Sequence, residues 1–139
     1  MILFLDTSIC VDVLRTSGPQ KSIALFETFS DGKNTGLVSA ITAAELAAGA
    51  ALSSRKDAMK KTEELLAYVE IVDLSEPVAL DGGKIYGKLS RAGRKIEFND
   101  CLIAATVLSL GMDQIVTRNC DHFNRIDGCS AVTPEDLVL

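Results

Sequence analysis

The chain alternates short apolar runs with segments of helical character, and this alternation restricts the folds open to it. Ile2 to Leu5 is an uninterrupted apolar run, the signature of a buried strand. Asp6-Thr7-Ser8 stops it and offers several N-caps to a short helix from Ile9 to Arg15, which Gly18-Pro19 breaks. Ile23, Leu25, Phe26 and Phe29 mark a second helix, closed by Asp31-Gly32. Leu37 to Ser39 reads as a strand, and Thr42-Ala43-Ala44-Glu45 as a capping box opening an alanine-rich helix that Gly49 interrupts without ending. A helix over Lys56 to Ala67 and a strand over Tyr68 to Leu74 follow. Pro77 then starts a helix from Val78 to Ala92, closed by Gly93. Asn99-Asp100 opens a helix from Cys101 to Leu110, Gln114 to Thr117 is a strand, and Arg118 to Asp127 is a polar loop. Ala131-Val132 is a last short strand, and Thr133-Pro134-Glu135-Asp136 is a cap followed by proline at the first helical position. Strands alternating with helices predict an α/β fold, a parallel sheet flanked by helices on both faces. With 139 residues and no linker or repeat, the chain reads as one domain over residues 1–139.

Composition removes several classes of function. Fourteen basic against nineteen acidic residues leave a net charge of −5, so a broad basic face for duplex DNA is excluded, although a local basic rim is not. Met1 to Leu5 has no basic residues before it and ends at Asp6, unlike a signal peptide. Cys101 to Met112 is too short to span a bilayer. A cytoplasmic chain with no membrane contact is therefore expected. Cys10, Cys101, Cys120 and Cys129 form no C-x-x-C pair, so a zinc ribbon is not expected. Cys10 and Cys101 sit among apolar residues and read as small core hydrophobes. The mean hydropathy of +0.24 suggests apolar surface covered by a partner or a second subunit.

The chemistry must come from few polar positions. In open parallel sheets, ligand sites lie beyond the carboxyl ends of the strands. Asp6, Asn119 and Asp121 follow strand ends, while Glu45 and Asp100 lie near helix starts and could face the same edge. Carboxylates gathered there repel one another unless a cation joins them, and an all-oxygen ligand set suits Mg²⁺ or Mn²⁺. Each residue also has a purely structural reading. Glu45 could complete the capping box of Thr42, Asp100 could answer a helix dipole, Asp6 could cap the helix after it, and Asp121 could be a solvated loop residue.

Four motifs in order carry a resemblance. Ile2-Leu3-Phe4-Leu5-Asp6-Thr7-Ser8 resembles the opening of PIN-domain proteins of the VapC toxin type. Ser39 to Leu46 with Gly49-Ala50 resembles that family's second acidic motif. Gly93-Arg94-Lys95-Ile96 with Asn99 to Thr106 resembles the third, and Ile115 to Asn119 with His122-Phe123 and Arg125 to Gly128 the last. The resemblance covers nearly the whole chain. It implies a PIN-like fold and an Mg²⁺- or Mn²⁺-dependent endoribonuclease, the toxin of a toxin–antitoxin pair. It implies Asp6, Glu45 and Asp100 as the core acids, Asp6 and Asp100 as metal ligands, and Asn119 at a position where many relatives carry Asp. Asp121, two residues on, could supply a missing carboxylate, and Ser8 stands where relatives often have Asn. It also implies an RNA substrate, a cognate antitoxin in a hydrophobic groove and a homodimer, with groove candidates in the helices from Ile9 to Phe29 and from Ala43 to Leu52.

Thr7, Ser8 or Thr117 could then hold a water or a phosphate oxygen. Arg118, directly after a strand, reads as a substrate contact, and Arg91, Arg94, Lys95 and Arg125 could form a basic rim or simply solvated helix ends. His122 reads as a surface loop residue, Glu97 as surface, and Phe26, Phe29, Phe98 and Phe123 as core or interface. Three alternatives remain: a PIN-domain nuclease of RNA maturation, a catalytically degenerate PIN-like binding module, and a doubly wound nucleotide-binding or receiver-like domain. The last lacks a glycine-rich phosphate loop, and the degenerate module should have lost acids that are present here.

Overall fold

A computed structural model describes residues 1–139. The elements run β1 (Ile2–Phe4), α1 (Thr7–Leu14), α2 (Gln20–Ser30), β2 (Thr35–Ser39), α3 (Ala40–Leu52), α4 (Ala58–Leu66) and β3 (Glu70–Val72). They continue with α5 (Glu76–Arg91), α6 (Phe98–Ser109), β4 (Gln114–Val116), α7 (Cys120–Phe123), β5 (Ser130–Val132) and a 3-10 turn at Pro134–Asp136. Every strand pairing is parallel: β1 with β2, β2 with β3, and β4 with β5. Leu5 bridges Val116, and the Asp6 amide donates to the Val116 carbonyl at 2.9 Å, so β1 lies between β2 and β4. The strand order is thus 3-2-1-4-5. The chain leaves β1 toward β2 and later crosses to β4 on the other side, which makes the carboxyl ends of β1 and β4 a topological switch point.

Side-chain alternation along these short strands divides the core in two. Phe4 and Ile115 face one layer, where they pack with Leu89 of α5, Ile103 and Val107 of α6, and Phe123 of α7. Leu3, Leu5 and Val116 face the other, with Ile9 of α1, Leu25 and Phe26 of α2, Leu46 of α3 and Leu65 of α4. Helix α6 is buried on every side from Cys101 to Val107. It lies so close to α5 that a Cβ on Gly82 would sit 2.6 Å from Leu102 Cδ2 and 3.1 Å from its Cα. Cys10 and Cys101 are fully buried, and burial pushes their thiols up to about 12 and about 11, as expected of inert core residues.

Three local expectations need correction. Helix α3 starts two residues before Thr42: Ser39 is its N-cap, and the Ser39 hydroxyl accepts from the Ile41 amide at 3.0 Å. Thr42 is buried inside the helix, so it forms no capping box with Glu45. The strand expected over Tyr68 to Leu74 shrinks to Glu70–Val72, because the Tyr68 and Val69 amides still donate to the Leu65 and Leu66 carbonyls as α4 unwinds. The loop after β4 contains α7, pinned by the fully buried ring of Phe123. The capping box at Thr133 is present, with the Thr133 amide donating to Asp136 Oδ2 at 2.8 Å. No helix is long and apolar enough to cross a membrane.

Candidate active site

The carboxyl ends of β1 and β4 open into a cavity of about 600 Å³. Asp6, Glu45, Asp100 and Asn119 all line it, together with Thr7 and Ser8. Each arrives from a different element. Asp6 ends β1, Glu45 lies in the second turn of α3, Asp100 in the first turn of α6, and Asn119 precedes α7.

Asp6 is 2% exposed and sits at the N-cap position of α1, but its carboxylate makes no capping bond. Oδ2 instead accepts from the hydroxyls of Ser8 at 2.8 Å and Thr117 at 2.7 Å. The Thr117 hydroxyl is wholly buried and also accepts the Asn119 amide at 2.9 Å. Thr117 therefore cannot touch a substrate, contrary to expectation; it fixes Asp6 and the turn into α7. Ser8 is tied in as well, since its oxygen accepts the Arg118 amide at 3.0 Å. Thr42 and Glu45, three residues apart, share one face of α3. Thr7 donates to Glu45 Oε1 at 2.8 Å and lies 2.9 Å from the Thr42 hydroxyl. Glu45 is held from outside its own helix, so a capping role does not account for it.

Asp100 has the perturbed titration. Its carboxyl is raised to about 6, by burial first and then by the charges of Asp6 and Glu45, while nearby His122 works against the rise. The pocket carries negative charge that the protein does not neutralise. No three acidic, His or Cys side chains yet converge to coordinating distance. The available donors are three carboxylates and one amide, and an oxygen set of this kind fits Mg²⁺ or Mn²⁺ better than zinc.

Two predicted residues behave otherwise. Asp121 points away from the cavity; its carboxylate is 82% exposed and pairs with Arg125 at 2.7 Å, one turn along. It cannot complete the acidic set in this arrangement. Arg118 lines the cavity, but its guanidinium is bound by Asp12 (Nε to Oδ2, 2.7 Å), by Ser22 (3.0 Å) and by both Glu135 oxygens. It acts as a clamp joining β4 to α1, α2 and the C-terminal turn.

Asp12, Arg15, Glu97, Asn99 and His122 also line the cavity, though none was assigned there from sequence. Asp12 had a visible signal: it is a lone carboxylate in the apolar stretch from Ile9 to Leu14, and it is buried. Arg15 lines the cavity and joins no ion pair. His122 Nδ1 lies 3.5 Å from Asp100 Oδ2 and has no other partner. Beside the cavity, sharing Thr7 and Glu45 with it, runs a largely apolar groove of about 210 Å³. Val11 and Leu14 of α1, Leu46 and Ala50 of α3 and Ala58 of α4 line this groove. Helix α2, expected to contribute, does not, because Leu25 and Phe26 are spent in the core.

A parallel 3-2-1-4-5 sheet with acids gathered at its switch point defines a class, and comparison with known proteins agrees. The chain belongs to the PIN domain family, whose profile matches residues 3–128. Its relatives are of the VapC type. It is 31% identical over 123 residues to ribonuclease VapC2 of Haemophilus influenzae, covering 88% of this chain and 89% of the relative. It is 29% identical over 125 residues to the tRNA(fMet)-specific endonuclease VapC of Shigella flexneri, covering 89% and 91%. Among solved structures, VapBC2 from Rickettsia felis, bound to a promoter DNA fragment, superposes with a TM-score of 0.82 at 30% identity, covering 96% of this chain and 98% of that one. DNA-bound VapBC from Salmonella typhimurium gives 0.82 at 28%, covering 96% and 99%.

Proposed function

We propose that this chain is the endoribonuclease toxin of a toxin–antitoxin pair, one domain over residues 1–139 that hydrolyses RNA phosphodiesters. The observation that carries this reading is the convergence of Asp6, Glu45, Asp100 and Asn119 on one cavity at the sheet's switch point, in a chain of VapC type. Asp6 and Asp100 would hold Mg²⁺ or Mn²⁺, with Glu45 and Asn119 completing the oxygen set. A bound divalent cation would offset the anionic pocket and stabilise charge on the phosphoryl oxygens.

The protein's own groups do the rest. Ser8 and Thr117 fix the Asp6 carboxylate, and Thr7 fixes Glu45, so these two acids are oriented before loading. Asp100, a carboxylate at the cavity wall, would be the group to take a proton from the attacking water. One water adds across one P–O bond per cut. Arg15, free of any ion pair at the cavity wall, would meet a substrate phosphate, a role that Arg118 is too engaged to fill.

The apolar groove beside the cavity is the site where an antitoxin segment would lie, since an occupant there would reach Thr7 and Glu45. The VapBC complexes among the structural neighbours support a partner of this kind. A homodimer belongs to the same proposal, with exposed Tyr68, Ile71 and Leu80 as candidate contacts. The test is incubation of purified protein with total RNA in Mn²⁺, Mg²⁺ or EDTA beside Glu45→Gln. Cutting that needs metal and is lost in the variant supports the reading. Cutting that persists in EDTA or in the variant rejects it.

A further inference from the structure

His122 is the chain's one histidine, and the acids alone do not account for its place in the cavity. Its Nδ1 is buried from water with no hydrogen-bond partner, an arrangement that costs free energy unless something uses it. The nearest acceptor is Asp100 Oδ2 at 3.5 Å, about half an ångström beyond a normal N–H···O bond. Two anchors hold the backbone that carries the imidazole. Phe123, the next residue, is fully buried, and the amides of both residues donate to the Asn119 carbonyl at 3.1 and 3.3 Å. Arg125 ties the end of α7 to the segment leading into α6, donating to the Lys95 carbonyl at 3.2 Å and to Asp121 at 2.7 Å. The element carrying His122 and the element carrying Asp100 are thereby joined.

We propose that His122 is a positioning residue, whose Nδ1–H holds the Asp100 carboxylate in the orientation a divalent cation requires. Rotation of the carboxylate on loading closes the remaining gap and satisfies the orphaned nitrogen. Hydrogen-bond partners of ligating groups typically change metal affinity by about 10–100-fold. The inference rests on the proposed metal-dependent reading of the same pocket.

Mn²⁺ binding by calorimetry on the whole protein tests it, with His122→Ala, His122→Asn and His122→Gln compared. The Asn amide nitrogen stands where Nδ1 stands, whereas the Gln amide reaches the position of Nε2. His122→Ala and His122→Gln are expected to weaken Mn²⁺ by at least about tenfold, and His122→Asn to restore affinity close to wild type. Equal affinity in wild type and His122→Ala overturns the proposal while leaving the pocket as a metal site. Equal weakening in Ala and Asn also overturns it, since that marks a packing role. Absence of Mn²⁺ binding by folded wild-type protein overturns both this inference and the nuclease reading beneath it.

Discussion

Asp100→Asn should make the metal-free protein more stable while removing its activity. The Asp100 carboxyl rises from 3.8 to about 6, with burial the largest cause and the charges of Asp6 and Glu45 adding to it. Each tenfold change in proton affinity is worth about 1.4 kcal/mol, so the ionised carboxylate costs the folded state roughly 3 kcal/mol at neutral pH. The sign follows from proton binding. The folded state holds this proton more tightly than the unfolded state, so the stabilising contribution is complete below 3.8 and is lost as pH rises through about 6. Asparagine keeps the shape and removes the charge, and the lost attraction to His122 returns part of the gain. About 2 kcal/mol should remain, which for a chain of this length is roughly 6–10 °C in Tm. The assay is thermal unfolding of wild type and variant in EDTA across the acid range. The gap should open between pH 4 and 6, the window set by the shifted carboxyl, and stay open above it. Saturating Mn²⁺ should then raise wild type alone, by about 2.7 kcal/mol at a hundred times Kd. A variant that melts below wild type in EDTA, or a gap that ignores pH, would refute uncompensated charge as the organising feature of this pocket.

Other substitutions separate holding the site from building the fold. Thr117→Val removes the buried hydroxyl that donates to Asp6 and accepts the Asn119 amide. It should cost about 1–3 kcal/mol in urea unfolding and weaken Mn²⁺ by about 10–100-fold in calorimetry. Arg118→Ala leaves Asp12, whose side chain is 5% exposed, with only its bond from Ser22. Its expected cost is roughly 2–4 kcal/mol, partly recovered by adding Asp12→Asn, and a double-mutant cycle in denaturant measures the coupling. Gly82→Ala brings a methyl against Leu102 at the α5–α6 contact. The overpacking should outweigh the gain in helix propensity and leave a net loss of about 1–2 kcal/mol by thermal unfolding.

Much of the fold was legible because its signals are local. The apolar runs at Ile2 to Leu5 and Ile115-Val116, the glycines after α5 and α6, and the Thr133 cap each act within a few residues. Gly93 and Gly111 take positive φ where those helices stop. The sequence is less informative where two local signals compete. Thr42-Ala-Ala-Glu45 satisfies a capping-box pattern, but Ser39 sits at the strand end and caps first, which carries Thr42 and Glu45 into the helix and turns them toward Thr7. The site acids Asp6, Glu45 and Asp100 could be named by motif, and their company could not. Asp121 and His122 are adjacent in a polar loop, and only the four-residue turn of α7 decides which of them faces the cavity. Arg118 follows a strand end as a substrate-binding cation would, yet its partners Asp12, Ser22 and Glu135 come from three other parts of the chain. Such long-range pairings leave no trace in spacing.

The most direct measurement is transcriptome-wide mapping of the new RNA ends made by the purified, antitoxin-free protein, with Mn²⁺ and with EDTA, in wild type and Asp6→Asn. Ends at discrete positions that require Mn²⁺ and vanish in the variant are the predicted result. Folded wild-type protein that makes no new ends in Mn²⁺, or the same ends in Asp6→Asn, would contradict a ribonuclease built on this acidic pocket.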